Sequence, residues 1–185
     1  MAQEMIYLLL LGSVDTRLLD DVAAAVRETF GIPVGILPST PPPEYAYNKS
    51  RGQYHSRTVL KSLSFITPEN AIGILAVTNV DLYVENLNYV FGEAALDGRV
   101  SAISLYRLQP EFADQPQGHR LFAERAVKEA IHELGHIFGL RHCQNPRCVM
   151  FFSNSIEDTD RKSKEFLGSC GEILRHNPSR QKAAA

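Results

Sequence analysis

The chain has 185 residues, 44% of them hydrophobic and 22% charged. That is the length of one folded domain, and the composition excludes disordered, collagenous and low-complexity classes. Nineteen lysines and arginines against 21 aspartates and glutamates leave a formal charge of −2, which offers no footprint for a nucleic-acid backbone, so no nucleic-acid partner is expected. Three cysteines are too few, and odd in number, for a secreted disulfide scaffold.

In chain order, the run Met5 to Leu11 follows Glu4 rather than a basic residue and lacks a small-x-small cleavage pattern, so it reads as a buried strand rather than a signal peptide. It is too short to span a bilayer, as is every later apolar run, and a cytoplasmic protein with no membrane partner is expected. Asp15 to Phe30 sets Leu18, Leu19, Val22, Ala25, Val26 and Phe30 at helical spacing, with Gly31 as the stop. Val34 to Leu37 reads as a second strand and Pro38 to Pro43 as a connector. Tyr45 to Tyr54 is polar and aromatic, and Ser56 is the expected N-cap of a helix through Leu60 and Leu63. Ala71 to Val77 is nearly all apolar, the signature of a strand covered on both faces. Tyr89 to Ala94 and Val100 to Arg107 are two shorter strands joined through Asp97-Gly98. A loop with Pro110, Asp114, Pro116 and Gly118 then leads into a long helix, His119 to Leu140. This alternation predicts an α/β (α+β) chain with a mixed sheet and right-handed crossovers.

The chemistry sits at the end of that helix, in His132-Glu133-Leu134-Gly135-His136-Ile137-Phe138-Gly139-Leu140-Arg141-His142, or H-E-x-x-H-x-x-G-x-x-H. Residues four apart share a helix face, so His132 and His136 can offer their imidazoles to one ion. A catalytic zinc takes three protein ligands and keeps a fourth position open. Gly139 can adopt the left-handed dihedrals that end a helix and so bring His142 back as the third ligand. Glu133, beside the first ligand, is then free to act as general base at the open position. At about one in 20 per specified position, chance would produce the five matching residues in roughly one chain in ten thousand.

These eleven residues resemble the metzincin signature, and Met150, eight residues after His142, resembles the Met-turn methionine. Cys143, Cys148-Val149-Met150, Phe152 to Ser155, Asp158-Thr159-Asp160, Lys162 and Cys170, with Tyr47, Arg51, Gln53-Tyr54 and Ser56 upstream, are similar to the archaemetzincin family of small zinc metallopeptidases. The resemblance implies a metzincin-like zincin. Its twisted mixed sheet of about five strands would stand above the active-site helix, with an antiparallel edge strand along the cleft. A loop-rich C-terminal subdomain would follow, dividing one domain, 1–185, into 1–139 and 140–185. Tyr89 to Ala95, just before the active-site helix, reads either as that edge strand holding an extended peptide by strand addition, with Gly92 and Glu93 as candidate substrate-binding residues, or as an ordinary edge strand. The family also implies a second zinc held by four cysteines, two just after the third histidine and two in a later C-x-x-C pair. Here Cys143, Cys148 and Cys170 are present, but Leu167 stands three before Cys170. A fourth donor from His176 or Glu172, a water, a Cys148–Cys170 disulfide and three reduced core cysteines all stay open.

Several residues have plainer readings. Asp158 and Asp160 read as a turn and N-cap for a helix Arg161 to Phe166. His55 and His119 read as surface residues, and Arg51 and Tyr54 either line a substrate pocket or anchor their loop. Lys182 to Ala185 reads as a tail outside the fold. The expected function is zinc-dependent hydrolysis of peptide bonds by a monomer, through a zinc-bound water activated by Glu133. The alternatives are a zinc-binding module without turnover, a zincin of another clan with a distant glutamate ligand, and an aminopeptidase restricted to short peptides. The last would need a carboxylate such as Glu93 or Asp97 to hold the α-amine.

Overall fold

Strand β1 (Met5–Leu11) alternates its side chains between two layers, Ile6 and Leu8 to one and Leu9 and Leu11 to the other, and all four are buried in the computed structural model. That model describes residues 3–95, 98–110 and 116–178. Helix α1 (Thr16–Phe30) starts where the Asp15 carboxylate accepts the Arg17 N–H at 2.9 Å and stops at Gly31, whose φ of 68° suits glycine. Strand β2 (Val34–Thr40) runs parallel to β1. It extends past the expected Leu37 and takes in Pro38, because β2 is an edge strand with a register shift opposite Leu9 and Leu11, where a missing N–H is tolerated.

Strands β3 (Tyr47–Asn48) and β4 (Gln53–His55) follow, then helix α2 (Ser56–Ser64), strand β5 (Ala71–Thr78), the short strand β6 (Leu82–Tyr83), and strands β7 (Gly92–Ala94) and β8 (Val100–Ser104). The main sheet has the order β2-β1-β5-β8-β7, parallel throughout except for β7, which pairs antiparallel to β8 as the other edge. The expected five-stranded mixed sheet is therefore present. A second sheet, β3-β4-β6, was not foreseen in the polar aromatic stretch. It also explains why Tyr89 to Ala94 is not one strand: Val90 bridges to Leu82 of the small sheet, and only from Gly92 onward does the chain pair with β8. Strand β8 ends at Ser104 rather than Arg107, because Leu105 to Leu108 closes a turn. Ser56 opens α2 as its first residue, and His55 takes the capping position without a side-chain cap.

Helix α3 (Pro116–Ile137) packs with α1 on one face of the sheet, against Leu75, Val77 and Ile103. Helix α2 covers the other face, where Val59, Leu60 and Leu63 meet Ile74, Ala76 and Ala102. This two-sided cover is the reason β5 is apolar at nearly every position. Helix α3 starts three residues before the expected His119, at a proline that suits a first helical turn, and ends three residues before Leu140. Beyond it lie helices α4 (Ile156–Arg161) and α5 (Ser169–Arg175). The helix expected over Arg161 to Phe166 is thus displaced: α4 ends at Arg161, and Asp158 and Asp160 lie inside it. Among the described residues no helix is long and apolar enough to cross a membrane.

Candidate active site

The last two turns of α3 bring His132, Glu133 and His136 to one face, and the chain then reverses. Gly139 has a φ of 81°, its N–H donates to His136 O at 2.9 Å, and the Leu140 N–H reaches back to Gly135 O at 3.1 Å. This is a Schellman ending, and it returns His142 to the helix. The imidazoles of His132, His136 and His142 converge, with one ligand nitrogen of each within 4.8 Å of the others. His132 Nδ1 lies 2.8 Å from Val149 O and His136 Nδ1 lies 2.8 Å from Leu140 O. A carbonyl can only accept, so both Nδ1 atoms carry the proton and both Nε2 atoms present lone pairs. Those two Nε2 atoms face each other at 3.2 Å, an arrangement that calls for a cation between them and fits zinc. Burial, together with the charges of Lys162 and His136, holds His132 well below the ordinary imidazole range. Burial likewise lowers His136 and His142. All three are thereby kept neutral, the form that binds metal.

Beneath the histidines Met150 is fully buried. Its Sδ lies 2.5 Å from where a Cβ on Gly135 would stand, so the glycine inside the motif allows this segment to press against the helix. Above them, Gly92 of β7 faces Glu133. A Cβ at Gly92 would fall 2.6 Å from Glu133 Cγ and Oε1. The Glu133 carboxyl is pushed well above its usual range, first by burial and then by the like charges of Glu129 and Glu93, with Lys162 opposing. The cleft, of about 400 Å³, is bordered by Tyr89, Phe91, Gly92, Glu133, His142 and Phe152, among others. Tyr89 Oη donates to Asn154 O at 3.2 Å, joining the upper lip of the cleft to the lower. Glu93 also borders the cleft, with its Oε1 3.3 Å from Arg57 Nε. Asp97 lies outside the described residues.

The Gly92 contact yields a prediction. Gly92→Ala is expected to displace the Glu133 carboxylate and lower peptide cleavage by about 100-fold, the scale of a 1 Å misplacement, while zinc content stays at the wild-type level. Steady-state kinetics with metal analysis check this, and wild-type cleavage would refute it.

Arg51 anchors its loop rather than lining the cleft: Nη2 donates to Leu87 O and Asn88 O at 3.1 and 3.0 Å, and the guanidinium lies 4.2 Å over the Tyr83 ring. It thereby holds the segment that becomes the upper lip. Tyr54 packs on Tyr47. His119 is exposed, but His55 is partly buried, with Nε2 3.1 Å from Glu85.

Sequence reading missed the charged ladder between α3 and α4. Arg125 donates to both oxygens of Asp160 at 2.7 Å, and Lys128 Nζ reaches Thr159 O and Asp160 O. Glu129 Oε1 accepts from the Thr159 hydroxyl at 2.9 Å and lies 2.9 Å from Lys162 Nζ. Lys162 is completely buried and Glu129 nearly so. Glu129 stands one turn before Glu133 on the same helix face, which was the available signal. Lys162, 33 residues after Glu129, was named only among the residues of the family resemblance, with no role attached.

The cysteines gather as well. The Sγ atoms of Cys143, Cys148 and Cys170 lie within 4.8 Å of one another, all as free thiols. The Cys148–Cys170 disulfide, one of the alternatives weighed above, is not formed in this structure. His176 and Glu172 are exposed and do not join the cluster.

The model of Peptidase family M54 matches residues 14–176. The archaemetzincin of Methanocaldococcus jannaschii is 49% identical over 159 residues, 86% of each chain. The crystal structure of the archaemetzincin from Methanopyrus kandleri superposes with a TM-score of 0.83 at 38% identity, covering 95% of this chain and 96% of that one. A zinc-dependent peptidase from Methanocorpusculum labreanum gives a TM-score of 0.82 at 30% identity, over 91% and 99% of the two chains. Fold, site and relatives together define a zinc metallopeptidase, a hydrolase acting on peptides. The chain belongs to peptidase family M54, with the archaemetzincins.

Proposed function

We propose that the protein hydrolyses peptide bonds with His132, His136 and His142 as the ligands of one zinc and Glu133 as general base. The observation that supports this most directly is the convergence of three imidazoles at the floor of a cleft, with Glu133 beside them under the edge strand. Zinc, when bound, supplies a Lewis acid that polarises the scissile carbonyl and makes water more acidic. The chain's own residues do the rest. Glu133 takes the proton of the attacking water on its carboxylate and returns it to the nitrogen of the leaving amine. Val149 O and Leu140 O hold two of the rings in their metal-binding tautomer. Strand β7, paired on one side only, offers its free backbone groups to an extended peptide, with Gly92 and Glu93 at the contact. Met150 supports the floor, in the Met-turn role. The two parts of the chain, 1–139 and 140–185, meet at Gly139 and complete the site together, as one domain.

Metal removal tests the reading. Exhaustive chelation is expected to abolish cleavage and added zinc to restore it, with recovery complete at about one zinc per chain. Activity that persists without metal would overturn it. Running the assay on peptides with free and with blocked N-termini separates the endopeptidase from the aminopeptidase, since cleavage of blocked peptides excludes an obligatory aminopeptidase.

A further inference from the structure

The three thiols play no part in the reaction proposed above, yet they are built as a site. Cys148 and Cys170 are buried and Cys143 is half-buried at the rim. Bonds of about 2.3 Å to one ion place sulfurs roughly 4 Å apart, so a cluster already within 4.8 Å closes on an ion with little movement. Two backbone donors face the sulfurs: the Asn145 N–H lies 3.5 Å from Cys143 Sγ and the Leu167 N–H 3.4 Å from Cys148 Sγ.

What the cluster lacks is a fourth donor. No histidine or carboxylate among the described residues joins it, and His176 Nδ1 is turned to Glu172 O at 2.9 Å. Leu167, whose N–H faces Cys148 Sγ at 3.4 Å, carries a hydrocarbon side chain at the position three before Cys170, where the family pattern has a cysteine. Structural zinc sites are closed by four protein ligands, so the donor set does not fit one.

We propose that Cys143, Cys148 and Cys170 form an open three-thiolate site for a thiophilic ion satisfied by three sulfur donors, with Cu(I) as the fitting class, rather than a structural zinc site. Soft thiolates suit Cu(I), zinc and iron–sulfur clusters, and of these the monovalent d¹⁰ ion is the one satisfied by three donors, where structural zinc takes four. Binding exchanges the three S–H protons, released to solvent, for one ion, and no electron is transferred.

The test uses the zinc-loaded protein in oxygen-free buffer, with Cu(I) presented as its complex with a chromogenic chelator. The wild type is expected to withdraw about one Cu(I) per chain. Cys170→Ser and the less buried Cys143→Ser should each weaken uptake by more than the about 10–100-fold that loss of an outer-shell partner costs. Leu167→Cys should add a firmly held second zinc and reduce the preference for Cu(I). The proposal is overturned if the cysteine variants withdraw as much Cu(I) as the wild type. It is equally overturned if wild-type protein already holds a second zinc against chelation that Cys170→Ser loses, or if unreduced protein shows a disulfide among the three.

Discussion

Glu133→Gln is expected to keep zinc at the wild-type level and to lower peptide cleavage by about 10²–10⁴-fold, the usual contribution of a positioned acid–base group. The amide has the shape of the carboxylate, so it fits the same gap under Gly92 and does not disturb the fold. It cannot take a proton from water and so cannot hand one on to the leaving amine, the two tasks proposed for Glu133. The result separates the proposed mechanism from a zinc-binding module without turnover. Unchanged cleavage would remove Glu133 from the chemistry, and joint loss of metal and activity would assign it a structural part instead.

Lys162→Met is expected to lower the free energy of unfolding by about 3–5 kcal/mol, the cost of removing one partner from a buried ion pair. The ammonium has no exposure and its partner Glu129 has 3%, so solvent cannot take over the lost charge. The Glu129 carboxyl would keep the Thr159 hydroxyl but lose its buried cationic partner. Replacing both residues, as Lys162→Met with Glu129→Leu, should recover a large part of the loss, because no buried charge is then left unpaired. Urea denaturation of the single and double variants measures both effects. If the single variant loses no more than the about 1 kcal/mol typical of a surface pair, the pair is not acting as a buried one.

The cluster of three histidines proposed as ligands was legible because it is local: helical spacing sets His132 over His136, and the φ of 81° at Gly139 fulfils the reversal its position predicted. The individual strands and a mixed sheet could be read from the apolar runs, while the count of about five strands in one sheet, the antiparallel edge and the cleft followed from family resemblance. The strand over Tyr89 to Ala94 was overlong because a sequence pattern does not show which sheet a residue pairs with, and here the chain passes from one sheet to another at Phe91. Pro38 was taken for the end of a strand because its tolerance depends on lying at an edge, a property of the assembled sheet. The Glu129–Lys162 pair and the Tyr89–Asn154 bridge join residues 33 and 65 positions apart, and no local periodicity reports such contacts.

The Schellman turn at Gly139 has one more consequence. It confines all three imidazoles to residues 132–142, with the Val149 carbonyl the contact that His132 takes from further along the chain. The lips of the cleft, by contrast, come from residues 89–93 and 152–154 and exist only once the sheet, α3 and the tail have come together. The candidate ion site and the substrate cleft therefore draw on different stretches of chain: the three imidazoles are neighbours in sequence, whereas the place for a peptide is assembled from segments far apart.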